Sequence, residues 1–208
     1  MELIQVSENL NDYLACAEYS DYNQPDICQK CRELFQGCKN ETGIIRTAFL
    51  FVRDNISHSW DIGSHQINIS AQDVLRNGHA LCHAKANLLA AMLRFEKIPT
   101  GFCYQRLTIG DTPDTGFCLH GMNAVLQRET GKWMRIDARG NKPGIDAQYI
   151  PGREQLAFPV RPEFTEEDYP FIYSQPLPCV INAMQSHTDC LELYLHGLPA
   201  EIPADERP

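Results

Sequence analysis

The apolar segment that spans residues 81–95 constrains the fold of this chain more than any other stretch. It reads Leu-Cys-His-Ala-Lys-Ala-Asn-Leu-Leu-Ala-Ala-Met-Leu-Arg-Phe, and a turn that contains Gly78 precedes it. Pro99 follows it, so the pattern predicts a helix that begins at Cys82 and ends near Lys97. The N-terminus of a helix carries about half a positive charge and has free N–H groups, which favour a thiolate over a thiol. Cys82 is therefore a candidate nucleophile.

The composition is that of an ordinary globular domain. Of the 208 residues, 43% are hydrophobic and 22% are charged, which suits a single domain over residues 1–208. We place its core at about residues 44–140 and expect residues 141–208 to cover that core. The net charge is −9 and lysines and arginines do not cluster, so we expect no nucleic-acid partner.

Three further features bear on where such a protein would reside. No apolar run approaches the roughly 20 residues that a membrane span requires, so we expect no membrane association. The first residues lack the apolar core of a signal peptide. The nine cysteines are an odd number without the spacing of a disulfide framework. We therefore expect a cytoplasmic protein with mostly reduced thiols, whose oligomeric state the sequence leaves open.

The periodicity of apolar residues predicts helices first and strands later. We expect helices from Pro25, over residues 42–56 with Thr42 as the cap, from a cap at Ser70, and over residues 179–196. Strands are predicted over residues 101–107, 122–127 and 132–138, with a loop over residues 111–116. Segregated helices and strands indicate an α+β fold with an antiparallel sheet, not a doubly wound one.

Two polar residues lie at the edges of the predicted strands. His120 stands just ahead of one strand and Asp137 near the end of the next, and a short turn separates those strands. Taken alone, each has a structural interpretation, and Cys82 could be a buried packing residue. Together and in this order, they are the residues that a thiol enzyme requires.

Four segments resemble the transglutaminase-like superfamily. Residues 75–82, with Lys85, residues 88–94 and Ile98-Pro99, are similar to its nucleophile helix. Residues 120–125 resemble its histidine strand, residues 133–139 its Trp-x-x-Ile-Asp strand, and residues 51–56 the helix that precedes the site. The resemblance covers about residues 44–140 in the family's order. Lys97 stands where the family usually has Gly.

The resemblance implies a papain-like fold with a transglutaminase core and a Cys-His-Asp catalytic triad. Cys82 would be the nucleophile, His120 the general base and acid, and Asp137 the residue that orients His120. No metal and no organic cofactor is implied, and the substrate would be a peptide or another amide. His83, directly after the nucleophile, would be either a second acid or a surface residue.

An acyl-thioester enzyme also has to stabilise an oxyanion. The backbone N–H of Cys82 is one expected donor, and the sequence leaves the second open among Trp60, Gln66 and Gln72. His58 could approach the cleft, but a histidine in a loop is expected to be exposed to solvent, as is His65.

Three cysteines near the N-terminus offer a competing interpretation. Cys28 and Cys31 form a CxxC, and Cys38 follows. Half a zinc site or a redox pair would use such a motif. Because no second CxxC occurs and the motif falls on the apolar stripe of the first long helix, we expect packing and no metal.

These observations predict a thiol enzyme that acts on amide or acyl groups through an acyl-cysteine intermediate. It would be either a cysteine protease or amidase, and so a hydrolase, or a transamidase, and so an acyltransferase. The alternative is a catalytically silent member of the same fold that binds peptides or serves in assembly.

Overall fold

A computed structural model of the chain describes residues 1–110 and 112–208. Its α-helices are α1 (Pro25–Phe35), α2 (Glu41–Asn55), α3 (Ala71–Asn77), α4 (Cys82–Phe95), α5 (Pro178–Ser186) and the short α6 (Cys190–Glu192). A π-helical turn, Leu193–Gly197, continues from α6, and 3₁₀ turns occur at Leu10–Leu14, Pro113–Thr115, Pro162–Phe164 and Ala204–Glu206. Within the described residues, no helix combines the length and the apolar character needed to cross a membrane.

The strands form one main sheet and several short ladders. They are β1 (Ile4–Gln5), β2 (Ser57–His58), β3 (His79–Ala80), β4 (Thr100–Thr108), β5 (Phe117–Gln127), β6 (Lys132–Ile136), β7 (Gln148–Ile150), β8 (Arg153–Gln155), β9 (Glu167–Asp168) and β10 (Phe171–Ile172). The main sheet is antiparallel, in the order β6-β5-β4-β9. Parallel pairs join β1 to β10 and β2 to β3, and β7 pairs with β8. The predicted α+β fold with an antiparallel sheet is confirmed.

Local signals explain where the early helices begin. Pro25 occupies the first turn of α1, where its missing N–H costs nothing. The Ser70 hydroxyl accepts a hydrogen bond from the N–H of Asp73 at 3.1 Å, and it caps α3 as predicted. The cap predicted at Thr42 was wrong, because α2 is capped by Asn40, whose Oδ1 accepts from the N–H of Gly43 at 2.9 Å.

Helix α4 runs through the interior of the molecule. Every residue from its first to its last but one is buried, so it packs on all sides rather than on a single stripe. Asn123 of β5 ties it to the sheet, since its Nδ2 donates to the carbonyls of Ala86 and Gly101, each at 3.1 Å. The helix ends at Phe95, slightly before the predicted Lys97, whose φ of 59° is left-handed.

Strand β5 is longer than predicted. It begins at Phe117, which pairs with Thr108 of β4, so His120 lies inside the strand and not ahead of it. Strand β6 ends at Ile136, and Asp137 follows directly. In the predicted loop over residues 111–116, Asp111 lies outside the described residues, and Pro113–Thr115 forms a 3₁₀ turn.

The single C-terminal helix predicted over residues 179–196 was wrong. Helix α5 ends at Ser186, and His187 is extended, with φ −105° and ψ 151°. Asp189 then starts α6, because its Oδ1 accepts hydrogen bonds from the N–H groups of Leu191 and Glu192 at 2.8 and 3.2 Å. An Asp that caps a new helix competes with continuation of the old one.

Candidate active site

Cys82 is the first residue of α4, as predicted from the sequence. Gly78, in the left-handed conformation with φ 72°, ends α3, and the two residues of β3 lead from it to Leu81, the N-cap of α4. The Cys82 side chain is almost enclosed, with 7% of the residue exposed. It therefore meets the positive end of the helix in a place that bulk water barely reaches.

Strand β5 approaches the start of α4 closely at Gly121. A Cβ placed on Gly121 would lie 2.7 Å from Cδ2 of His83 and 3.3 Å from its Cγ. Only a residue without a side chain fits this contact. The contact brings the neighbouring residue of β5, His120, to Cys82. Both residues line the same cavity, and their side chains interact electrostatically.

The other nitrogen of His120 is held by Asp137. His120 Nε2 lies 2.8 Å from Asp137 Oδ2, and both side chains are buried. The carboxylate also accepts hydrogen bonds from the backbone N–H groups of Arg139 and Ala157, each at 3.1 Å. The Asp137 carboxylate therefore cannot turn away, and it fixes the orientation of the imidazole that faces Cys82.

The electrostatics of this set favour a charged pair. Burial opposes an imidazolium, but the carboxylate of Asp137 and the sulfur of Cys82 outweigh it and raise the pKa of His120 to about 10. Burial likewise opposes a thiolate, but His83, His120 and hydrogen bonds from His120 and His58 hold the pKa of Cys82 well below its usual value. Thiolate and imidazolium therefore coexist through the neutral pH range.

Two further imidazoles lie close to the sulfur, and both are buried. The exposure expected for His58 was wrong, and of the two alternatives for His83 the surface residue is excluded. His83 is 4% exposed, and its Nδ1 lies 3.5 Å from Cys82 Sγ. His58 is 5% exposed and lines the same cavity as Cys82. A signal for each was present in the sequence. His83 falls inside an apolar run, and Ile56, His58 and Trp60 alternate like the inward-facing residues of a strand. His65 is exposed as expected, and its Nδ1 lies 2.6 Å from Asp189.

The Cys82 sulfur lies in the wall of a cavity of about 430 Å³. Trp60 also lines this cavity, and its ring stacks on that of Tyr194 from the C-terminal π-helical turn, with centroids 4.5 Å apart. Of the three proposed second oxyanion donors, Trp60 therefore reaches the cavity, whereas Gln66 and Gln72 are not among the described residues that line it.

Cations at the cavity are paired with acids. Arg139 donates to both carboxylate oxygens of Asp61, at 2.5 and 2.9 Å, and Lys142 donates to one of them at 2.6 Å. Burial opposes the Asp61 carboxylate, but these hydrogen bonds outweigh it and lower the pKa of Asp61 to about 2. On another wall, Arg161 Nη2 lies 2.6 Å from Glu166 Oε1. The charges at the cavity are thus held in fixed pairs, on a lining that also carries apolar side chains such as Leu107 and Phe158.

The remaining cysteines are free thiols. Cys31 of α1 is fully buried in the core, while Cys28 and Cys38 are partly buried. No group of three or more metal-ligating side chains occurs within residues 1–110 and 112–208. Cys118 lines the same cavity as Cys82.

A cysteine at the start of a buried helix, packed against an antiparallel sheet that carries a histidine and an aspartate, is the arrangement of the papain-like class of α+β folds. The sequence model of the transglutaminase-like superfamily matches residues 29–138, more than half of the chain. This chain belongs to that superfamily.

Two solved structures resemble it. A putative cysteine protease from Cytophaga hutchinsonii is 17% identical with a TM-score of 0.52, and the match covers 64% of this chain and 43% of that one. A putative protease from Parabacteroides distasonis is also 17% identical, with a TM-score of 0.39 and coverage of 61% and 24%. This chain thus spans less than half the length of either protein. A comparison with curated proteins finds no match.

Proposed function

We propose that this protein is a thiol enzyme that acts on amide or acyl groups through an acyl-Cys82 intermediate. The observation that carries the proposal is that Cys82 and His120 line one cavity, with the buried Asp137 carboxylate 2.8 Å from Nε2 of His120. In this proposal Cys82 is the nucleophile, His120 the general acid and base, and Asp137 the orienting residue.

The chemistry follows from the charges. The Cys82 thiolate attacks the carbonyl carbon, a C–S bond forms, and the π-electron pair moves to the oxygen. When the tetrahedral intermediate collapses, the C–N bond breaks and His120 gives its proton to the leaving amine. His120, now neutral, then accepts a proton from water or from a second amine, which attacks the thioester and releases Cys82.

Thiol alkylation tests the nucleophile and has a matched control in the same cavity. Cys82 and Cys118 are 7% and 8% exposed and both line the cavity, but burial raises the pKa of Cys118 to about 12. Iodoacetamide at pH 6 should therefore modify Cys82 much faster than Cys118, as measured by mass spectrometry of peptides. Equal rates for the two thiols would contradict the proposal.

Turnover separates the enzyme from the silent binding module. Cys82→Ala should abolish turnover of any amide or ester substrate, with the circular dichroism spectrum unchanged. A variant that kept more than about a tenth of the wild-type turnover would contradict a nucleophilic role. A fully folded wild-type protein whose Cys82 forms no acyl adduct would favour the binding module.

Hydrolysis and transamidation differ in what resolves the thioester. Adding methylamine to an acylated enzyme should give the methylamide product if an amine is the natural acceptor, and the free acid if water is. The ratio of the two products, measured by mass spectrometry, decides between a hydrolase and an acyltransferase.

A further inference from the structure

We propose that His58 is a second catalytic imidazole, a neutral hydrogen-bond donor to the oxyanion that forms when Cys82 attacks a carbonyl. This inference rests on the proposed function. It assigns to His58 the role of second oxyanion donor, for which the sequence offered only Trp60, Gln66 and Gln72.

The backbone fixes His58 beside the nucleophile. Strand β2 pairs with β3, and His58 is the register partner of Ala80, two positions before Cys82 in the chain. The N–H groups of Ser57 and Ser59, on either side of His58, donate to the carbonyls of Gly78 and Ala80, each at 2.9 Å. The short ladder thus sets the imidazole next to the start of α4.

The side chain reaches both the sulfur and the cavity. His58 and Cys82 line the same cavity, and the two side chains interact electrostatically. The rings of His58 and Tyr194 pack edge to face, with their centroids 6.3 Å apart and an interplanar angle of 83°. A donor beside the sulfur and open to the cavity lies where the oxygen of a sulfur-bound tetrahedral carbon is formed.

The surroundings of His58 favour the neutral ring with its proton on Nε2. Within the described part of the chain, the buried Nδ1 of His58 has no hydrogen-bond partner, so we assign Nε2 as the nitrogen that faces Cys82. An imidazolium would bury an unpaired N–H at Nδ1, which is costly. Burial, together with the charge of Arg139, also lowers the pKa of His58, although Cys82 and Asp61 oppose this.

His58 and His120 therefore have different roles in the proposed reaction. The Asp137 carboxylate lies 2.8 Å from His120 Nε2, whereas no described carboxylate pairs with His58 Nδ1, so His120 carries the proton that is transferred. His58 keeps its proton throughout. As the thiolate attacks, the hydrogen bond from Nε2 shifts from the sulfur to the new oxyanion, and it returns to the sulfur when the intermediate collapses. No bond to hydrogen breaks at His58.

Two reactions of Cys82 distinguish a His58 that donates to the oxyanion from a His58 that only stabilises the thiolate. Acylation by p-nitrophenyl acetate passes through an oxyanion, whereas alkylation by iodoacetamide does not. We expect His58→Ala to slow the acylation burst by about 10²–10³-fold and alkylation by less than about threefold. His58→Gln, whose amide Nε2–H can occupy the same place, should recover much of the burst.

Two other variants complete the experiment. His65→Ala removes an exposed imidazole that pairs with Asp189, and it should leave both rates unchanged. Trp60→Phe keeps an aromatic ring against Tyr194 but removes the indole N–H, so it tests the competing donor. Circular dichroism and thermal melting of each variant show whether it is folded, and His58→Gln provides the comparison if His58→Ala is not.

Each outcome of these measurements either supports or overturns the role of His58. A selective loss of acylation in His58→Ala, recovered by Gln, supports the inference. Equal losses in acylation and alkylation would mean that His58 supports the thiolate instead, and they would overturn the inference. An unchanged burst in both His58 variants, or a loss of the burst confined to Trp60→Phe, would overturn it as well. Wild-type Cys82 that alkylates but never acylates would instead refute the proposed function, and the role of His58 with it.

Discussion

Replacing Lys85 by Met should change the stability of this protein in a direction that depends on pH. Lys85 lies one turn after Cys82 on α4 and is 1% exposed. Its Nζ donates to the carbonyl of Ile56, and a Cβ on Gly140 would be 3.5 Å from it. Burial, aided by Arg139 and opposed by Asp137, Asp61 and Cys82, lowers the pKa of Lys85 from 10.5 to about 7.

Whether stability rises or falls with pH depends on whether the folded or the unfolded state binds the proton of Lys85 more tightly. Between pH 7 and 10.5 the unfolded chain holds a proton on Lys85 that the folded protein does not, so stability rises with pH over this range. Below pH 7 the buried ammonium costs the folded state about 4–5 kcal/mol, at roughly 1.4 kcal/mol for each pH unit of the pKa difference. Met removes this cost but leaves the Ile56 carbonyl without its donor, a loss of about 1–3 kcal/mol.

Lys85→Met should therefore be more stable than the wild type at pH 6, by about 2 kcal/mol, and less stable at pH 10 by a similar amount. Urea unfolding of both proteins at several pH values between 6 and 10, followed by circular dichroism, measures the difference directly. Lys132→Met on the exposed start of β6 is the control, with a difference near zero throughout. A Lys85→Met difference that stays constant from pH 6 to pH 10 would refute the reasoning.

Further substitutions test the geometry of the site and of the C-terminal segment. Asp137→Asn should lower kcat on an amide or ester substrate by about 10⁴-fold or less, and less severely than His120→Ala, because it disturbs only tautomer and orientation. Gly121→Ala should lower the free energy of unfolding by about 1–3 kcal/mol and slow alkylation of Cys82 at pH 6, since its Cβ would meet the ring of His83. Asp189→Ala, which removes the cap of α6, should cost about 1 kcal/mol in thermal unfolding.

The helix starts and the order of the site residues could be predicted because their signals are local. Pro25 and Ser70 act within one turn of their own helices. Cys82 starts α4 and Asp137 directly follows β6, where the sequence pattern changes, although His120 lies inside β5. Between Cys82 and His120 the sequence changes from helical to strand periodicity. A helix followed by an antiparallel sheet can bring these residues together in few ways.

What could not be predicted depends on contacts between distant parts of the chain. The start of β5 at Phe117 depends on pairing with Thr108 of β4, which lies nine residues earlier across a loop. The division of the C-terminal helix depends on Asp189, which caps α6 and whose carboxylate also lies 2.6 Å from His65. Thr108 and His65 lie too far along the chain from Phe117 and Asp189 for a local pattern to reveal these pairings.

The burial of His58 and His83 changes how the chemistry of the site has to be described. A single histidine beside a thiolate would be pictured as the only source of positive charge and of hydrogen bonds. With three imidazoles around one sulfur, the position of the carboxylate becomes decisive, because Asp137 stabilises a proton on His120 alone. His58, whose Nδ1 has no partner among the described residues, is more stable as the neutral ring than as an imidazolium, which would bury an unpaired charged N–H. In the reaction proposed above, His120 would therefore carry the mobile proton and His58 would be the fixed donor to the oxyanion.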